Sequence, residues 1–202
     1  MKGPAGFSIA AIGAGLVALS ACSGPPGPGT PGATVQAWPT LAEAARSSEG
    51  PDALVRRMRA HLEKQPRDAR GWAVLARLEF GMDRFGEAAQ AYEKALALSS
   101  RVANDPAVWC EYADALGMTQ GGKLSGRPRA LLDRALALNS RHPKALEMAG
   151  SAEYERGDYA AAARYWRMLL ASLEPGSRAN GELAAAVVRA ERLALLDLPG
   201  PN

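Results

Sequence analysis

The chain has 202 residues, 48% of them hydrophobic and 22% charged, with a formal net charge of +3 at neutral pH. That length suits one folded domain of ordinary size with an unfolded arm, and the apolar fraction suffices for a core. Acidic and basic residues interleave with no basic stripe carrying aromatics, which argues against nucleic-acid binding, and an Ala/Leu-rich composition poor in β-branched residues favours helix.

The first forty residues read as address and tether. Lys2 precedes an apolar run from Phe7 to Leu19, thirteen residues with one serine. A membrane span needs about twenty, so the run matches the hydrophobic region of a secretory signal. It ends Leu19-Ser20-Ala21-Cys22. This ending resembles the lipobox of bacterial lipoproteins, which implies lipidation of Cys22, cleavage before it and a stable membrane anchor. An ordinary signal peptide or an uncleaved signal anchor, with Cys22 incidental, is the competing reading. Under the lipoprotein reading residues 1–21 are the signal, and their loss removes Lys2 alone among charged residues, leaving +2. Ser23 follows the cysteine. By the enterobacterial sorting rule that residue points to the outer rather than the inner membrane, facing the periplasm of a bacterial cell envelope. In residues 22–40, nine of nineteen are Pro or Gly. Such a linker cannot build a core, and its prolines keep it extended. Trp38 is its one bulky residue, either a loose contact or a dock on the first helix.

Residues 41–197 carry helical patterning, and 198–202 are expected to be a disordered tail. Thr40-Leu41-Ala42-Glu43 has the form of a capping box opening a short helix that stops by Gly50-Pro51. Asp52 is placed to cap a helix over 53–64, where Leu54, Met58 and Leu62 recur every four residues. Two amphipathic patterns joined by a tight turn then fill Asp68–Leu98. Trp72, Leu75, Ala76 and Phe80 share one face of the first, and Ala88, Tyr92 and Ala95 share one face of the second. These residues resemble the tetratricopeptide repeat, with Glu79 in the slot where the consensus places an aromatic. A second copy opens at Trp109 with Tyr112 and Ala113 and closes with Leu131, Leu132 and Ala135. A third opens at Leu146 with Gly150 and Tyr154 and closes with Ala162, Trp166 and Leu169.

The openings at 72, 109 and 146 are 37 residues apart. The second copy carries a longer turn, Gln120 to Pro128, rich in Gly and Ser. A last helix over 177–195 puts Leu183, Ala186, Val187, Ala190, Leu193 and Ala194 on one face, as a cap for the array. The expected fold is therefore an all-α tetratricopeptide-repeat helical solenoid: about three repeats, an N-terminal helix pair and a C-terminal capping helix.

In repeats of this type the first helix of each pair lines the concave groove. That places Arg70, Ala73, Arg77, Phe80 and Gly81 inward from repeat one. Repeat two contributes Ala107, Cys110, Asp114, Gly117 and Met118, and repeat three Lys144, Glu147, Ser151, Tyr154 and Glu155. The partner-binding groove would use Arg70, Arg77, Phe80, Asp114, Met118, Glu147, Ser151 and Tyr154, taking the apolar stripe of a helix on Phe80, Met118 and Tyr154 and carboxylates on the arginines. Structural roles compete: Phe80 as core, Met118 as gap-filler, Arg70 and Arg77 as solvated helix charges. Cys110 beside Trp109 reads as a buried small residue, with a redox role as the alternative. His61 and His142 are far apart, with no cysteine or carboxylate at ligand spacing, so no metal or cofactor is implied.

Residues 68–77, 121–150 and 155–170 together resemble the tetratricopeptide domain of the cytochrome c biogenesis family, over about residues 53–195. Within them the Gly-Gly…Gly-x-Pro turn running into Leu-Leu-x-x-Ala-Leu, and the Tyr-Trp-x-x-Leu-Leu of the last repeat, are more specific than the repeat consensus. That family includes CcmI/CycH, the C-terminal domain of long CcmH proteins and NrfG. The resemblance implies a non-enzymatic module that captures apocytochrome c, mainly by its C-terminal helix, and presents it for haem attachment. The family commonly begins with membrane-spanning helices where this chain has a lipobox-like sequence. The Cys-x-x-Cys of a thiol reductase is missing, so that role does not carry over, and without Cys-x-x-Cys-His the chain is not a c-type cytochrome. A lipoprotein scaffolding another envelope assembly, such as a pilus or secretion complex, is the alternative. No nucleophile–base pair, metal cluster or phosphate loop supports an enzyme.

Overall fold

The computed structural model describes residues 50–196, and among them lie nine helices and no strand. In chain order they are α1 (Gly50–Lys64), α2 (Ala69–Phe80), α3 (Phe85–Leu98), α4 (Ser100–Ala103), α5 (Pro106–Thr119), α6 (Arg127–Leu138), α7 (Pro143–Glu155), α8 (Tyr159–Leu170) and α9 (Arg178–Leu196). The pairs α2/α3, α5/α6 and α7/α8 are the three repeats. α1 precedes them and α9 packs on α8 as the cap. The expected signal, the expected linker with Cys22 and Trp38, the helix expected over 41–49 and the expected tail after 197 lie outside the described residues.

The predicted apolar stripes are the core. Leu54, Met58 and Leu62 of α1 are buried with Leu75, Ala76, Tyr92, Tyr112 and Leu132 in one cluster, and Leu146, Trp166, Leu183 and Val187 form a second around the cap. Alanine at the crossing points lets the helices approach closely. Gly150 takes this furthest: a Cβ there would lie 2.2 Å from Trp166 Nε1. The Trp166 indole donates to the Glu147 carbonyl (3.2 Å) across the same contact. The opening tryptophans act alike, each donating to a carbonyl six residues upstream: Trp72 Nε1 to Pro66 at 2.9 Å and Trp109 Nε1 to Ala103 at 2.7 Å. They fasten the connection between one pair and the next.

Three local features differ from the sequence expectations. α1 starts at Gly50 rather than Ala53, because Pro51 serves the first turn, where its missing N–H costs nothing. Asp52 therefore sits inside that turn and pairs with Arg84 (2.6 Å). The 37-residue spacing also has two different origins. Repeat two puts its extra residues into the turn at 120–126. Repeat one has a turn of only four residues, 81–84, and its extra length forms α4, held by the Ser99 side chain accepting from Val102 N–H. The two shorter turns match in geometry, with the left-handed position filled by Asp83 (φ 58°) in one and Gly157 (φ 83°) in the other.

Gly150→Ala should destabilise by about 2 kcal/mol or more through overpacking. Gly86→Ala, in α3 with open space around its Cβ position, should instead gain roughly 0.5 kcal/mol. Urea denaturation of the two variants checks both signs. Asp68 provides a pH test. It caps α2 by accepting from Gly71 N–H (2.9 Å) and lies 2.9 Å from His61 Nε2. Burial pushes its carboxyl up, but these partners outweigh that and hold it below the ordinary carboxylate value. A depressed folded pKa stabilises above the unfolded pKa of about 3.9 and is lost as pH falls through the folded value. Asp68→Ala should therefore cost about 1 kcal/mol at neutral pH, and the gap to the native chain should close as pH drops below about 4.

Candidate partner-binding site

The first helices α2, α5 and α7 lie side by side and present one shared face. Ion pairs and packing across the seams decide which predicted residues remain available. On α2, Ala73 is buried and Arg70 is exposed. Arg77 is tied through Nε to both carboxylate oxygens of Glu111 on α5 (3.1 and 3.0 Å). Phe80 is half-buried and edge-on to Phe85, with centroids 5.3 Å apart. Tyr154 mirrors it, 5.1 Å from Tyr159 and 5.6 Å from Trp166. Both rings therefore brace the turn after their helix while keeping one edge toward the shared face. Met118 on α5 is the exposed apolar residue of the predicted set, at 40%.

Asp114 of α5 and Glu147 of α7 are half-buried and close enough to influence one another. Burial pushes both carboxyls up; Lys144, 3.8 Å from Glu147, opposes the rise, and Asp114 adds to it at Glu147. Ser151 donates its hydroxyl to the Glu147 carbonyl (3.0 Å), which spends that donor within its own helix. Cys110 is 2% exposed, with Sγ 3.7 Å from His142 Nδ1, and the same nitrogen accepts the α7 cap bond from Ala145 N–H. His142 is thus a half-buried cap residue, and His61 is engaged with Asp68.

The long turn folds back onto this face. Gly121, Gly122 and Gly126 all adopt positive φ (70°, 84° and 77°), conformations that side chains resist, so the Gly-Gly…Gly-x-Pro spelling is a backbone requirement. Leu124 tucks against Gly117, where a Cβ would meet it at 3.0 Å, and Leu124 N–H donates to Glu155 (2.9 Å). Gly117 and Glu155 are thereby occupied by the chain itself.

A feature that the sequence did not reveal is a cleft of about 350 Å³ where α2 meets α4 and α5. Ala73, Val74, Val102 and Val108 contribute apolar walls, and Arg70 and Arg101 stand at it. It exists because α4 is there. On the opposite side of α2 a second cleft, about 500 Å³, is lined by Trp72, Leu75, Glu87 and Lys94, with the Lys94 ammonium 4.2 Å from the Trp72 ring centre.

This repeat array has known relatives. Residues 42–180 match the family model described as the cytochrome c-type biogenesis protein H TPR domain. The chain belongs to that family. It is 30% identical over 148 residues to the cytochrome c-type biogenesis protein CycH of Pseudomonas aeruginosa, covering 73% of this chain and 36% of that protein. It is 35% identical over 118 residues to CycH of Bradyrhizobium diazoefficiens, covering 58% of this chain and 31% of that protein. The chain thus spans about a third of the length of these relatives. Among solved structures, the crystal structure of MamA superposes with a TM-score of 0.59 at 16% identity, covering 79% of this chain and 95% of that one. That likeness concerns the fold.

The Cys110 environment yields a direct test. Burial raises its thiol pKa to about 12, leaving almost no thiolate at neutral pH. In the native protein at about pH 8, iodoacetamide should modify Cys110 at least about 100-fold more slowly than in urea. Mass mapping of the Cys110 peptide over time would measure it.

Proposed function

We propose that this domain is a non-catalytic binding module of cytochrome c maturation that holds the C-terminal helix of an apocytochrome c against the face of α2, α5 and α7 for haem attachment. The family match over 42–180 carries this reading. The character of the face supports it. Exposed Met118, flanked by the partly open edges of Phe80 and Tyr154, offers an apolar strip to an amphipathic helix. Arg70 at one end and Asp114 with Glu147 at the other supply polar contacts. In the same reading Cys22 is lipidated, and the Pro/Gly-rich linker holds the domain off a membrane on the periplasmic side, the outer membrane in preference to the inner. Other maturation components are further partners through the same face.

Fluorescence anisotropy with a labelled C-terminal helical peptide from a c-type cytochrome tests the binding step. Saturable binding is expected, and Met118→Glu should weaken it about tenfold by placing a charge under the apolar stripe. Absence of saturable binding to any such peptide overturns the reading. A deletion strain should lose covalent haem from c-type cytochromes, and mass spectrometry of the mature N-terminus should find acylated Cys22.

A further inference from the structure

We propose that the outer face of α9 pairs two copies of this chain, with the two α9 helices antiparallel about a two-fold axis near residue 187. α9 buries Leu183, Val187 and Ala190 against the array, and the opposite side of the helix is left to water. That side shows Val188, Leu195 and Leu196, which at 57%, 70% and 75% are the most exposed large hydrophobic residues among those described. The second helices of the repeats do not look like this: α3 turns Glu87, Gln90, Glu93 and Lys94 outward. A helix that ends a repeat array needs a polar outer face to stay soluble alone. α9 has instead the mixed apolar and charged face of a contact surface.

The way this face is divided identifies what covers it. Its N-terminal half is small, with Gly181 and Ala185 exposed and open space around the Gly181 Cβ position. Its C-terminal half holds the three large apolar residues. Charge is divided as well. Glu182 lies in the first half; Arg189 and Arg192 lie in the second, exposed and without an ion pair among the described residues. A second α9 laid antiparallel sets each half on its complement. With the axis near residue 187, Val188 meets Val188 across it and Leu195 comes down over Gly181. Arg192 then falls level with Glu182 of the other copy, with Arg189 one turn away. Glu182 already accepts from Arg178 of its own helix through one oxygen (2.6 Å), in a pair open to water, which leaves its second oxygen for the other copy. A parallel pair would instead set leucine on leucine, face glycine with glycine across a gap and bring arginine to arginine. The antiparallel fit is the self-complementary kind that a two-fold dimer requires. It runs along about 28 Å of helix and removes roughly 1,000 Å² in total from water, at the low end for specific association. The dimer is therefore weak and concentration-dependent.

The test uses the full chain under reducing conditions in phosphatidylcholine vesicles, with energy transfer between donor- and acceptor-labelled copies reporting pairing as the density rises. Transfer should exceed random mixing. Val188→Glu and Leu195→Glu, at exposed positions where circular dichroism should show the helices intact, should each raise the density for half-maximal transfer about tenfold. Glu182→Arg or Arg192→Glu alone should raise it about fivefold, and the double variant Glu182→Arg/Arg192→Glu should restore it. A parallel pair is indifferent to these reversals, so lack of effect and rescue overturns the arrangement. Benzoylphenylalanine in place of Leu196 should crosslink to the first turn of α9 in the other copy; a crosslink to its last turn overturns the arrangement too. Transfer no greater than random mixing at any density, or transfer that survives both Val188→Glu and Leu195→Glu, overturns the pairing. If those two variants instead release the chain from anionic vesicles and leave transfer unchanged, the face meets lipid and the pairing is wrong.

Discussion

The array depends on two carboxylates taken out of water. Glu79 and Glu153 are 1% and 5% exposed, and each occupies the slot seven residues after its repeat's opening position. Each is held by an arginine from the preceding second helix and another from the turn that follows. Arg59 of α1 reaches Glu79 at 2.6 Å and Arg84 approaches it at 3.3 Å. Arg129 of α6 reaches Glu153 at 2.8 Å and Arg156 at 2.9 Å. Ionised carboxylates this deeply buried are tolerable only when their oxygens are fully engaged. The pairing therefore dictates where the preceding helix must lie. In repeat two the slot holds Leu116, and the link backward runs instead from Arg127 to Glu93 (2.6 Å) and to the Tyr112 hydroxyl (2.7 Å).

That constraint also explains the displaced aromatics. With glutamate in the consensus aromatic slot, Phe80 and Tyr154 fall one residue later, on the rim between core and shared face, and stack on Phe85 and Tyr159 in nearly identical edge-on geometry (67° and 68°). The turn before the next helix is thus braced in the same way in both repeats. Repetition of a buried ion pair and an aromatic corner thus does the job that an aromatic at the consensus position does in other tetratricopeptide repeats.

Helix identity was legible because each long helix carries a sustained apolar stripe, and the long turn was legible because its glycines are spelled out. α4 was not: four residues are too few for any period, and Ser99-Ser100 reads as ordinary punctuation. The Glu79 departure was visible, but its cause was not, since the partner Arg59 lies twenty residues upstream and nothing in the spacing selects it among neighbouring arginines. The same limit applies to the face. Arg70 and Arg77 look alike in sequence, yet one is bound to Glu111, 34 residues away, and the other is not. Which charges are structural is decided by the register of one pair on the next.

The unequal treatment of the arginines then has a physical consequence. Arg59, Arg84, Arg129 and Arg156 are committed to buried carboxylates, and Arg77 to Glu111, so moving any of them toward a ligand would break an existing pair. Taking an arginine from Glu79 or Glu153 would leave a buried carboxylate short of a partner, whereas the Arg77–Glu111 pair is solvent-exposed and holds more weakly. The arginines on Glu79 and Glu153 are therefore tied to the fold, while Arg70 and Arg101 stand outside those pairs at the cleft made by α4, beside the Asp105 carboxylate. The long turn closes the other flank by covering Gly117 and engaging Glu155. The two extra segments that lengthen the repeats thus act oppositely on one face, α4 opening a charged recess and the glycine turn filling a space.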